Sequence, residues 1–209
     1  MAAPPFPVHL ELAGWDLYWA RLTRQAGGEE GLADLRREVT ARARSTRELE
    51  NLAADPTVAA VRRLFKAAGC DPSRYRPSSE ALLRRVLKGE ELPAIHPLVD
   101  LNNCLSVNLA VPSCIMAEGT VVPPVVLRAG REGEDFASLR GPFNLTGKPL
   151  MADAQGPFGT PITDSQRVKV GEETRSAWLV AYLPQGVVDP ATAERELAEL
   201  IARAPVAVI

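Results

Sequence analysis

The spacing of apolar residues changes at Pro112, and no other feature restricts the fold of this chain so strongly. Before it, Leu98, Leu101, Leu105 and Leu109 recur at i, i+3, i+7 and i+11 behind Pro97, a residue suited to the first turn of a helix. After it, strand-like runs appear: VVPPVVLRA at 121–129, LMAD at 150–153, RVKV at 167–170 and SAWLVAYLP at 176–184, separated by turn-rich pieces. A helix returns after Asp189 and Pro190, with Leu197, Leu200, Ile201 and Ala204 inward. Helices, then strands, then a helix predict an α+β fold rather than alternating βαβ units.

Two amphipathic helices lie upstream. Asp55 reads as an N-cap with Pro56 at the first helical position, and Val58, Val61, Leu64, Phe65 and Ala68 form one stripe that ends at Gly69. The next begins at Ser78, after Pro77, buries Leu82, Leu83, Val86 and Leu87, and stops at Gly89. A polar helix with a thin apolar stripe is expected over 31–53, and a strand over 6–12. The chain thus reads as an N-terminal strand and helical elaboration over 1–54, packed on a main domain over 55–209 as one unit. Residues 75–184 are expected to share a core of Leu98, Leu101, Leu105, Val126 and Leu179, with the helix of Leu98 lying on strands near 121–129 and 176–184. Alternation in SAWLVAYL predicts a half-buried strand.

With 209 residues, 46% of them hydrophobic and 24% charged, the chain is long enough for a sizeable core and too apolar for disorder. Charges or prolines interrupt its greasiest stretch, 98–116, so no membrane segment is expected, and the N-terminus lacks the pattern of a secretory signal. Three cysteines without a CxxC pair and two histidines make a zinc site unconvincing; neither metal nor cofactor is expected, and a reducing cytoplasm fits best. The net charge of −2 argues against a surface built throughout for nucleic acid. It is unevenly spread, however: residues 62–88 carry +6, and the remainder −8. Arg62, Arg63 and Lys66 on one helix, and Arg84, Arg85 and Lys88 on the next, repeat RRxxK opposite the apolar stripes. Such residues also occupy the solvated side of ordinary amphipathic helices.

The absence of GxGxxG, GxxxxGK[ST] and GxSxG removes the common nucleotide and acyl-transfer sites. Cys104 or Cys114 with His96 and Asp100 offers the ingredients of a thiol nucleophile, although cysteine is more often simply buried. The loop 155–167, QGPFGTPITDSQR, is more informative. Its glycines and prolines build a fixed turn with exposed N–H groups, and Asp164 and Ser165 can hold an ammonium or hydroxyl; an ordinary turn is the competing reading.

The motifs from 75 to 184 carry a family resemblance: SSEALLRRVL, LPAIHPLVDLNN, Pro112 nine residues after Asn103, VVLRAGREGEDF with Arg128, LMAD, DSQRVKV, and Thr174 leading the last strand. In this order, over about half the chain, they resemble the B3/B4 domain of the bacterial phenylalanyl-tRNA synthetase beta subunit, and more closely its free-standing relatives. The resemblance implies a B3/B4 fold, tRNA or aminoacyl-tRNA as partner, and a pocket that hydrolyses tyrosine wrongly esterified to tRNA. That family's pocket has a histidine two residues after the proline matching Pro112, and a glutamate on the last strand. Here those positions hold Cys114 and Val180. Both departures remove polar groups, so the resemblance implies first an editing-like hydrolysis of a different, less polar or smaller aminoacyl group by other residues. The alternatives are a tRNA- or small-ligand-binding module without chemistry, or an enzyme on a small amino-acid-like metabolite. An activated ester needs only a positioned water, an oxyanion donor and a group for the α-ammonium. Asp164, Ser165 and Asn103 are the catalytic candidates; Asp100, Cys114, Arg128, Thr160 and Val180 are the substrate-binding ones. Asp100, Asn103 and Arg128 also suit a structural network tying helix to strand.

Overall fold

The computed structural model describes residue 4, residues 6–139 and residues 141–209; of the stretch 1–54, residues 1–3 and 5 lie outside it. Five helices and ten strands are described: α1 (Glu29–Thr46), α2 (Pro56–Ala67), α3 (Ser78–Leu87), α4 (Pro97–Leu109) and α5 (Pro190–Arg203), with β1 (Val8–Leu10), β2 (Trp15–Arg24), β3 (Ser113–Ala117), β4 (Val125–Ala129), β5 (Asp135–Ser138), β6 (Gly141–Asn144), β7 (Pro149–Asp153), β8 (Gly156–Gly159), β9 (Ser176–Pro184) and β10 (Ala207–Val208). The fold is α+β.

The helix starts follow local chemistry. The Asp55 carboxylate accepts from the N–H groups of Thr57 and Val58 at 2.9 and 3.2 Å, Asp189 accepts from Thr192 at 2.7 Å, and His96 Nδ1 accepts from Leu98 at 3.2 Å, each ahead of a proline in the first turn. The first long helix differs from the expected 31–53. It ends at Thr46, and a separate short 3-10 turn follows at Leu52–Ala54.

The central sheet has the order β10-β2-β9-β3, antiparallel throughout. Its middle strands are β9 and β2, and β2 comes from the stretch before residue 55. Alternate residues build opposite faces. Tyr18, Ala20, Leu22, Ile115, Leu179, Ala181 and Leu183 face an aliphatic core with Leu98, Leu101 and Leu105 of α4, Leu32 and Leu35 of α1, and Leu197 of α5. Trp15, Trp19, Cys114, Met116, Trp178, Val180 and Tyr182 face a second core with Phe65 of α2 and with Val125, Leu127, Met151 and Phe158 of the other sheet. That sheet has the order β1-β4-β7-β8, with β1 parallel to β4 and the remaining pairs antiparallel.

Several expectations change here. β9 is covered on both faces rather than half-buried, because helices lie on one side and the second sheet on the other. For the same reason the single shared core does not form. Helix α4 packs on β2, β3 and β9, while β4 lies across the central sheet from it; Val126 turns away toward Phe136, Leu145 and Leu150. The run RVKV is no strand: Ser165 Oγ accepts from the N–H of Arg167 and starts a 3-10 turn at Gln166–Val168, where the Arg167 guanidinium is drawn onto the buried Asp153 carboxylate at 2.9 Å. β4 begins only at Val125, behind Pro123 and Pro124. The strands β2 and β3 are not in the reading of the sequence at all.

Candidate functional site

The second core contains the most polar buried group near the residues singled out by sequence. Register makes Cys114 of β3 the direct partner of Val180 of β9, and Val180 in turn the partner of Trp19 of β2. Tyr182 follows two residues later on the same face, wedged edge-on against Trp15 at 6.2 Å. The loop after β8 closes over this row. Its form is set by Thr160, whose Oγ1 accepts from the N–H groups of Ile162 and Thr163 and donates to the Thr163 carbonyl at 2.7 Å. With Oγ1 so engaged, the Thr160 carbonyl is what faces the sheet, 3.3 Å from Cys114 Sγ; the Tyr182 hydroxyl is 3.7 Å from the same sulfur.

Asp164 completes the group. The residue is half-buried, but its Oδ1 is fully enclosed, has the Cys114 thiol as neighbour and no well-formed hydrogen bond among the described residues, and lies so close to Gly159 that a Cβ there would meet it at 3.0 Å. Burial raises the Asp164 carboxyl to about 7, with a hydrogen bond from the neighbouring Cys114 thiol opposing it. Burial also pushes the Cys114 thiol and the Tyr182 phenol well above their ordinary values, and the Asp164 charge adds to both shifts. Near neutral pH the cluster therefore holds a neutral thiol, a neutral phenol and a carboxyl poised between its two states. A thiolate nucleophile is not available there. Nor is one at Cys104, raised to about 12 by burial in the aliphatic core across the sheet.

Cys114, Thr160, Asp164 and Val180 thus come together, with Ser165 next in the chain. Ser165 Oγ accepts from Arg167 and keeps its hydrogen for donation, while its backbone N–H is spent on the Phe158 carbonyl at 2.9 Å. The expected exposed N–H groups of this loop are largely engaged: those of Thr160, Ile162, Thr163 and Ser165 all have partners within it or on β8.

The other candidates sit elsewhere. Asn103 is on α4, in the helical layer on the far side of the central sheet, and makes no side-chain hydrogen bond among the described residues. Asp100 is buried at the start of α4, accepting from the N–H groups of Ile95 and His96 and from Arg36 of α1. Arg128 points to the opposite side of β4 from Leu127 and grips Glu134 with two bonds of 2.7 Å, which holds the Glu134 carboxyl down at about 2. The asparagines of α4 are mostly structural: Asn102 donates to the Ser113 carbonyl at 3.5 Å and Asn108 to Glu196 at 2.6 Å.

The basic segment is partly neutralised from within. Glu80 is buried beneath it and receives Arg62 through both carboxylate oxygens, at 3.0 and 2.9 Å, as well as Arg76 at 3.4 Å. Arg62 therefore does not stand on an outer triplet as expected, because the buried Glu80 carboxylate holds its guanidinium. Arg85 is exposed but leans on Glu90, Arg84 is half-buried, and Arg63, Lys66 and Lys88 are exposed. This segment meets the site loop directly, since the N–H of Ser78 donates to the Pro161 carbonyl at 2.9 Å.

A separate cleft of about 530 Å³ opens between Arg44, Arg47, Asn51 and Asp55, but its charges are already paired, Arg47 with Asp55 and Arg44 with Glu91. Among the described residues no helix is long and apolar enough to cross a membrane, and no group of three or more His, Cys, Asp or Glu is placed to hold a metal. Sequence reasoning missed Tyr182. The alternation of β9 carried the signal, since Val180 and Tyr182 must share a face.

A profile of the B3/4 domain family matches residues 60–197. Among solved structures, the chain is similar to an N-terminal fragment of the phenylalanyl-tRNA synthetase beta subunit from Pyrococcus horikoshii, at 12% identity and a TM-score of 0.48, over 97% of this chain and 50% of that one. The chain thus spans about half the length of that fragment. No curated protein matches it.

Proposed function

Because this chain belongs to the B3/4 domain family, we propose that it binds the amino-acid-bearing end of a tRNA, seats the aminoacyl group at the Cys114/Asp164 site, and hydrolyses that ester with a water positioned there. The reading rests above all on the enclosed Asp164 Oδ1, which has no charged partner and no well-formed hydrogen bond among the described residues. The neighbouring Cys114 sulfur is flanked by the Thr160 carbonyl and the Tyr182 hydroxyl. A wall of acceptors with one carboxylate suits an α-ammonium, and an arriving cation lowers a carboxyl otherwise raised to about 7, so binding releases a proton. Ser165, with a hydroxyl hydrogen free to donate, is the candidate for polarising the ester carbonyl. The contact between Ser78 and Pro161 makes the basic segment continuous with the loop, so Arg63, Lys66, Arg84, Arg85 and Lys88 are the candidate phosphate contacts.

Binding without hydrolysis is the second reading. It is favoured by the engagement of the loop N–H groups, which leaves few oxyanion donors, and by the polar groups that Cys114 and Val180 lack. One experiment separates the two: a panel of aminoacylated tRNAs is incubated with the protein, and filter retention and released amino acid are measured together. Release from one aminoacyl class supports hydrolysis, and retention alone supports a binding module. Neither, even at low salt, would remove tRNA and leave a free amino-acid-like ligand for the site.

A further inference from the structure

Beside Val180, away from Tyr182, the same sheet face is covered by a piece of the chain's own N-terminus. Phe6 stands edge-on to Trp19 and to Trp178, with ring centroids 5.7 Å away in both cases and interplanar angles of 89° and 73°. Phe6 belongs to no regular element; it precedes β1, a three-residue strand laid parallel on the edge of β4. Two further hydrogen bonds tie this segment down, from the N–H of Val125 to the Pro7 carbonyl at 3.0 Å and from that of Glu11 to the Leu127 carbonyl at 2.9 Å. His9 and Leu10 face outward. The Trp19 indole N–H is buried and has no acceptor among the described residues. A core aromatic would be held from several sides by regular structure, and a buried donor would normally be paired.

We propose that Trp19 and Trp178 form a binding subsite for an aromatic ring, that Phe6 occupies it as a resident surrogate, and that residues 6–12 lift from β4 to admit the ring of a ligand. The surrogate itself indicates the ligand chemistry, since two indoles that seat one phenyl edge-on will seat another. The unpaired indole N–H adds a preference for a ligand with an acceptor nearby. Because Trp19, Val180 and Cys114 are successive partners across three strands, the Trp19 backbone is two strand spacings, about 10 Å, from that of Cys114 on the same sheet face. It deepens the function proposed above and rests on that reading in giving the side chain of an aminoacyl group its place. Its own test needs no tRNA.

Tryptophan emission is titrated with L-phenylalaninamide, and with L-alaninamide as the non-aromatic control. Three proteins are compared: wild type, Phe6→Ala, and a strap-locking pair His9→Cys with Val126→Cys, whose positions are register partners between β1 and β4. If Phe6 competes with the probe, apparent affinity is reduced by the fraction of molecules whose strap is open, so Phe6→Ala binds at least about tenfold more tightly. The oxidised pair should not respond, and reduction should restore the wild-type curve. A folded Phe6→Ala that binds no better than wild type overturns the proposal. So does a locked protein that binds as well as the reduced one, and this arm decides should Phe6→Ala fail to fold. Probe binding to Phe6→Ala with no tRNA retained leaves the subsite standing and removes the tRNA reading; tRNA retention with no strap effect does the reverse.

Discussion

The two faces of the central sheet are drawn from the same strands by alternation, yet they are built to different ends. Toward the helices, Ala20, Leu22, Ile115, Leu179, Ala181 and Leu183 interlock with aliphatic side chains of α1, α4 and α5. Toward the second sheet, Trp15, Trp19, Trp178 and Tyr182 meet Cys114 and the enclosed Asp164, beneath a loop, an N-terminal strap and helix α2. The first face is an aliphatic core whose members are nearly all fully buried. Buried polar atoms without a well-formed hydrogen bond among the described residues occur in both layers, at Thr40, His96 and Asn102 on the helical side and at Trp19 and Asp164 on the other. The second face differs in gathering Asp164, the Cys114 thiol and the Tyr182 hydroxyl among its aromatic rings. One strand can thus serve as scaffold and as site wall at once, because its side chains alternate.

Truncation tests the contrast most severely. Leu179→Ala opens a cavity among fully buried aliphatic neighbours and should cost about 3 kcal/mol, read from the shift of a urea or thermal transition, with little effect on ligand affinity per folded molecule. A cost below about 1 kcal/mol would mean that the helical face is not the rigid one.

On the other face a substitution should stabilise, and only at high pH. The Asp164 carboxyl is raised from 3.8 to about 7 in the folded chain, so the native state holds a proton that the unfolded state has released between those values. Stability therefore falls as pH rises from about 4 through about 7. Asp164→Asn lacks this penalty and should exceed wild type by about 1–3 kcal/mol at pH 8, with the difference vanishing near pH 4, while losing affinity for ammonium-bearing probes. A difference independent of pH would show that the carboxyl is not held neutral by burial.

Cys114→Ala should be milder, at about 1 kcal/mol, because it removes a small side chain and one weak thiol bond to the Thr160 carbonyl. The thiol is neutral, so the substitution should not abolish any ester hydrolysis; complete loss would make it a participant. The smallest effect on stability belongs to the exposed cations. Paired reversal of Arg63 and Lys66 to Glu should change unfolding by less than about 0.5 kcal/mol. If both touch phosphates, each reversal should reduce the slope of log K against log salt for tRNA by about 0.7–0.9. The same reversal at Arg62 should instead destabilise, since it places a second carboxylate on buried Glu80.

Elements marked by a local signal were legible in the sequence, and those without one were not. Helices α2, α4 and α5 could be read from their stripes, caps and prolines, and β9, although buried on both faces, from an apolar run set between turn-rich pieces. In β2 the residues Trp15, Leu17 and Trp19 alternate with Tyr18, Ala20 and Leu22, apolar on both sides, so the strand has no period to detect. The short β3, immediately behind α4, continues the apolar texture of that helix and was hidden by it. The family motifs marked Cys114 and Val180, and the glycine- and proline-rich loop marked Asp164 and Ser165, since both signals are local in the chain.

What the sequence by itself determined is the class of the fold, the helix boundaries set by caps and prolines, and which residue types were available for chemistry. Only the tertiary structure decided that Cys114 lies beside Val180, that Tyr182 and the Thr160 carbonyl share the sulfur, that Arg62 belongs to Glu80, and that Phe6 rests on two tryptophans. Periodicity and capping act within a few residues. Partners such as Arg62 and Glu80, or Cys114 and Tyr182, are chosen by burial, where a charge or polar group takes whatever neighbour the folded chain brings within reach.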